Sequence, residues 1–193
     1  MDLLSITPGR CVRSVAAAAF AVAATCGRGA AQRLTQDEAL RLAFPAADTV
    51  ERRTAYLDDG QLARANELAG PEPPVEGSVV TYYVATAAGE PVGAAYFDVH
   101  RVRTLPEVLM VVVGKDARIR RVEVIRFSEP PEYRARPVWL GQFDGRRLDS
   151  GLSLKGDITP ITGATLTSRA ATAAMRRVLA LHRVIAPFGE AAP

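Results

Sequence analysis

Cysteine is nearly missing from this chain of 193 residues; there are two, Cys11 and Cys26, and both fall within the first 31. If cleavage follows Ala31, the mature chain has no thiol. That excludes a disulfide framework, a thiol nucleophile, a Cys-ligated zinc and a Cys-held iron–sulfur cluster. Histidine is as scarce, with only His100 and His182, so no His-based metal site is assigned. A surplus of one charge sign is missing too. The formal net charge is +3, but Arg10, Arg13 and Arg28 against Asp2 supply most of it. Without them 21 basic and 20 acidic residues remain, with no basic stripe of the kind a nucleic-acid binder shows. No dinucleotide fingerprint and no paired acid and base stand out. Any redox chemistry must therefore come from an organic cofactor.

Long apolar runs are limited to the amino terminus. Residues 14–25 (SVAAAAFAVAAT) follow the positive Arg10 and Arg13, and Gly29, Ala30 and Ala31 offer small residues for cleavage before Gln32. This is the pattern of an export signal, and it is shorter than the roughly 20 apolar residues of a spanning helix. An uncleaved anchor or a buried alanine-rich helix is the alternative. Cys26 adds the option of lipid attachment, although Thr25 and Ala23 fit a lipobox poorly. The expectation is an exported protein, periplasmic or at the outer face of the cytoplasmic membrane. Its parts are a signal (1–31), a helical cover and connector (32–77), a main domain (78–186) and a tail (187–193).

Two helix starts are legible near the front. Thr35 with Glu38 makes a capping box, opening a helix that stops at Phe44-Pro45. Asp58 or Asp59 can cap a second helix with Leu62, Ala65 and Leu68 on one face and Gly70 as terminator. From Val79 the apolar period changes. Residues 79–85 and 91–99 flank a Gly89-Glu90 turn, a hairpin signature. Residues 107–113 (EVLMVVV) suit a central strand, and 119–127 (IRRVEVIRF) alternate as a half-wet one does. Pro137 begins a short helix through Trp139, Leu140 and Phe143. From about Thr167 to Val184, Ala171, Met175, Val178, Leu179 and His182 recur at helical spacing, with His182 read as a packed histidine. The fold class expected is α+β: a largely antiparallel sheet of about four strands, packed by the carboxy-terminal helix, with short amino-terminal helices.

The stretch carrying chemistry is residues 157–170 (DITPITGATLTSRA). Pro160 stiffens a loop, Gly163 allows φ > 0, and Ala164 adds almost no bulk. Thr165, Thr167 and Ser168 place hydroxyls around a helix amino terminus, where free N–H groups and the helix dipole favour an anion. Arg169 can add charge there or point to solvent. Helix capping alone would also account for these residues.

The run Thr162-Gly163-Ala164-Thr165-Leu166-Thr167-Ser168 resembles the flavinylation motif of the FMN-binding domain family. That family includes the covalent-flavin subunits of sodium-translocating NADH:quinone reductase and of Rnf electron-transport complexes. The resemblance covers about the last 115 residues. It includes the Thr81-Tyr82-Tyr83-Val84 hairpin, Ser128-Glu129-Pro130 where many members have Glu-Thr-Pro-Gly, and Trp139-Leu140-Gly141-Gln142-Phe143. It implies FMN joined by a phosphoester to Thr165, framed by Thr162, Gly163, Ala164, Leu166 and Thr167. An aspartate usually stands three residues before the first motif hydroxyl. Here that position is Thr159, and Asp157 lies two residues earlier as a substitute. Leu105, Trp139 and Leu140 are candidate ring covers, with Trp139 read first as a core anchor. Glu129 either tunes the ring or is a solvated turn carboxylate.

The resemblance implies an electron carrier, matured by an FAD:protein FMN transferase and serving a redox partner protein or a membrane electron-transport complex. A flavin reductase with its own small substrate, and a non-redox partner-binding module, are the competing readings. No nucleic-acid partner is expected.

Overall fold

The computed structural model describes residues 34–71 and 74–189; the export-signal reading of residues 1–31 and the cysteines lies outside them. The described residues form one compact unit. Its order is α1 (Gln36–Ala43), β1 (Thr49–Tyr56), α2 (Asp59–Ala69), β2 (Val79–Ala87), β3 (Glu90–Arg101), β4 (Pro106–Val113), β5 (Ile119–Phe127), α3 (Pro137–Leu140) and α4 (Thr165–Ile185). The class is α+β, and the sheet is antiparallel with strands in chain order. It has five strands where about four were expected. The missed strand is β1, whose residues are nearly all exposed. An edge strand paired along its whole length to β2 is held by main-chain hydrogen bonds, so its sequence shows no apolar alternation to find.

Local chemistry explains the other boundaries. Both amino-terminal helices open on a reciprocal capping box, Thr35 with Glu38 and Asp58 with Gln61. The β2–β3 turn uses Ala88 and Gly89, both at positive φ, the requirement of a tight hairpin whose twist matches its strands. α2 ends at Gly70, also at positive φ.

The sheet is buried on both faces over its central part. On one face Tyr96, Leu109, Val111, Val113 and Ile119 meet Ala171, Met175, Val178 and Leu179 of α4, with Phe143 and Leu152 closing the end. On the other, α1 lays Ala39 and Leu40 over Ala95, Met110 and Val112. β4 is thus covered on both sides, as its continuous apolar run required.

His182 sits on the predicted stripe, 4% exposed, within 3.0 Å of the Tyr96 hydroxyl at Nδ1 and edge-on to Phe188. Burial pulls its pKa down to about 4 from an ordinary 6.5. Below pH 6.5 the unfolded chain takes up a proton that the native state refuses, so stability falls as pH drops toward 4. Between pH 7 and pH 5 this histidine should cost about 2 kcal/mol of unfolding free energy. Urea titrations of wild type and His182→Asn at the two pH values check it. The expected result is a shallower acid slope in the variant.

Candidate functional site

α4 begins at Thr165, two residues before the expected start, so the motif hydroxyl stands in the first turn of a 21-residue helix. The helix-entry residue Ala164 supplies no side-chain cap. The N–H groups of Thr165, Leu166 and Thr167 therefore have neither an intrahelical partner nor a capping oxygen. Thr165, Thr162 and Leu166 are exposed, while Ala164 is buried. The Ala164 amide donates to the Ile161 carbonyl at 3.0 Å, closing a four-residue turn with Gly163 at φ +81°. A third position at positive φ is what such a turn reserves for glycine. A Cβ there would meet nothing within 4 Å, so Gly163 is needed for its torsion, and the ground above it is open.

The loop ahead of the helix is clamped from three directions. Buried Ser168 donates to the Ala164 carbonyl at 3.2 Å and accepts from the Ile161 amide at 2.8 Å. Thr159, at the position where the family usually carries aspartate, is held through its backbone. Its amide donates to Oε1 of Gln142 at 2.9 Å, and its carbonyl accepts from Nε1 of Trp139 at 2.7 Å. Ile158 is buried in the main core. Replacing Ser168 by alanine strands the half-buried Ile161 amide, an expected loss of about 1–3 kcal/mol in urea unfolding.

Trp139 also packs edge-on against Phe143 at 5.3 Å. It is a half-buried anchor that fixes the approach to the motif from below. Asp157 is engaged by the Arg146 guanidinium and donates its amide to the Gly151 carbonyl at 2.8 Å. It closes the 151–157 loop. Arg169, the fifth residue of α4, is exposed.

The remaining candidates are brought together by two residues that received no role from the sequence, Tyr133 and Arg103. Thr167 donates its hydroxyl to the Tyr133 carbonyl at 2.7 Å. The Arg103 guanidinium lies over the Tyr133 ring, 4.3 Å from its centroid, a cation–π contact. Glu129 then accepts the amides of Arg103, Thr104 and Leu105 at 3.3, 2.9 and 2.9 Å through one oxygen. The Leu105 amide most of all, then that of Thr104, holds its carboxyl below the usual range. Glu129 is therefore no freely solvated turn residue; it ties the 102–105 loop to the 128–133 loop beside the α4 terminus. Leu105 and Leu166 remain exposed, two apolar side chains left at the surface. No motif in the sequence pointed to Tyr133 or to Arg103.

The arrangement offers a nucleophilic-type oxygen, three unclaimed amide donors and a helix dipole, all suited to a phosphate. The donor set fits FMN's phosphate in chemistry and in open space. Comparison with known proteins agrees. No curated protein and no solved structure matches the chain. A family model described as the FMN-binding domain matches residues 106–180, from the start of β4 through most of α4, and takes in Glu129, Trp139, Asp157, Arg169 and the whole motif. Residues 106–180 thus match an FMN-binding domain, with the Thr162–Ser168 turn and helix start inside the match.

Proposed function

We propose that this domain holds FMN as a phosphoester on Thr165 and serves as an exported electron-transfer protein, exchanging electrons with a partner protein or a membrane redox chain. The observation that carries the reading is the exposed Thr165 at an uncapped helix start within the matched FMN-binding domain. Thr165 would supply the ester oxygen, and the amides of Thr165, Leu166 and Thr167 would face the phosphate's remaining charge. The Ser168 and Thr159 clamps hold that turn still, and Leu105 and Leu166 offer apolar cover. When bound, the isoalloxazine supplies the electron chemistry, and the protein sets its position and surroundings. A covalent link suits an exported protein because a cofactor lost outside the cytoplasm is not readily replaced. Maturation calls for an FAD:protein FMN transferase.

The test is co-expression with that transferase, followed by denaturing electrophoresis and intact mass. A fluorescent band with the added mass of one FMN is expected. A dark, unmodified wild-type chain overturns the covalent assignment. The same spectrum reports the mature amino terminus, which is expected at Gln32.

A further inference from the structure

The β2–β3 ladder stops early. It runs from Ala87↔Glu90 to Tyr82↔Tyr96, yet β2 continues to Val79 and β3 to Arg101. In the same register Thr81 would face Phe97 and Val79 would face Val99, but those residues are not paired. β2 stays with β1 there, and β3 stays with β4. The sheet is forked, and the gap is a cavity of about 990 Å³ lined by consecutive residues of both strands. Such lining places it between the strands, within the plane of the sheet, where a face pocket would show alternate residues only.

The main chain facing this gap can be assigned. Leu57 donates to the Ser78 carbonyl and Val102 to the Leu105 carbonyl. Together with the registers, these bonds turn even-numbered residues of β2 toward β1 and even-numbered residues of β3 toward β4. Val79 and Thr81 on one side, and Phe97, Val99 and Arg101 on the other, therefore present their N–H and C=O groups to the fork. Above them runs an apolar row: Tyr56 pairs across from Val79, and Val99 pairs across from Val108. Tyr56, Val79 and Val99 are 77, 60 and 69% exposed. Arg52 and Arg101 line the cavity, and its acidic lining residues are Glu76 and Asp98. Arg177 and His100, at the floor, are engaged by Asp98.

We propose that the fork is a docking groove for an extended segment of a partner protein, apolar at alternate positions and acidic between them. Open main-chain edges recognise another extended chain, and the apolar row takes its alternate side chains. The arginines at the cavity wall favour the acids. The docking does not depend on Thr165 or on flavin.

A fluorescein-labelled heptapeptide of alternating valine and glutamate, titrated to millimolar concentration against the full chain, tests this by anisotropy. Saturable binding is expected. A peptide N-methylated at alternate residues, which keeps the side chains and loses the amide donors, should bind at least about tenfold more weakly. Val99→Pro removes a fork-facing N–H without touching the β3–β4 bonds and should weaken binding by a similar factor. Should that variant misfold, Arg52→Glu, on the exposed surface, should lower affinity at least about threefold. Absence of saturable binding overturns the proposal. So does equal affinity for the N-methylated peptide, or cosedimentation with phosphatidylglycerol vesicles without peptide binding, which would make this a membrane face.

Discussion

Replacing Thr165 by alanine is expected to abolish covalent flavin completely and leave the fold intact. The first half follows from the proposed linkage: alanine has no oxygen to esterify, and the next hydroxyl, Thr167, is buried and bonded to the Tyr133 carbonyl. The second follows from exposure. The Thr165 side chain lies at the surface of a helix start whose clamps are Ser168 and Thr159, so the stability change should stay within about 0.5 kcal/mol. Thr165→Ser should keep the label, and Thr162→Ala should keep some of it. Intact mass and in-gel fluorescence read all three variants, and a labelled Thr165→Ala protein would move the attachment elsewhere.

The second large effect lies away from the motif. Asp98 receives Arg177 at two oxygens, 2.7 and 3.1 Å, and His100 Nδ1 at 2.8 Å. His100 Nε2 meets Glu107 at 3.0 Å, and Glu107 is fully buried. Burial pushes the Asp98 carboxyl up, but the bonds from His100 and Arg177 outweigh it and hold it low. Burial pulls His100 down, and its two carboxylates outweigh that and raise it. The raised pKa of His100 favours its doubly protonated ring, which places a second cation beside Arg177 on the Asp98 carboxylate. Asp98→Ala withdraws the shared acceptor and leaves the charges of Arg177 and His100 buried. About 3–5 kcal/mol of unfolding free energy should be lost. Pairing Asp98→Leu with Arg177→Met should cost less than Asp98→Ala alone, because it removes opposite charges together. Urea unfolding at pH 7 decides; a single variant within about 1 kcal/mol of wild type would show that the network is weakly coupled to folding.

Much of the domain was readable because its signals are local. Capping boxes declare themselves over three residues, as Thr35–Glu38 and Asp58–Gln61 do. The α4 stripe and the uninterrupted run of β4 carry their burial in their own spacing. The site was readable where a short motif carries it, from Thr162 to Ser168. What stayed hidden depends on contacts between distant positions. Arg177 reaches Asp98 across 79 residues, so neither looks remarkable in its own segment. Glu107 stands second in an apolar strand, and composition cannot tell a solvated end residue from a buried one. Asp157 stands beside the motif in sequence, but its pairing with Arg146 and the hold of Gln142 and Trp139 on the Thr159 backbone join positions too far apart to be read from the segment.

The edge strand has a consequence for how these molecules behave in a crowd. Even-numbered residues of β1 turn their main chain away from β2, leaving an open ladder on the outside of the sheet. At its middle stand Glu51, Arg52 and Arg53, with Glu51 and Arg53 joined at 2.8 Å. A second copy zipping onto this border would have to strip water from those charges at the centre of the new pair, a known guard against edge-to-edge aggregation. The outer border thus discourages sticking to its own kind.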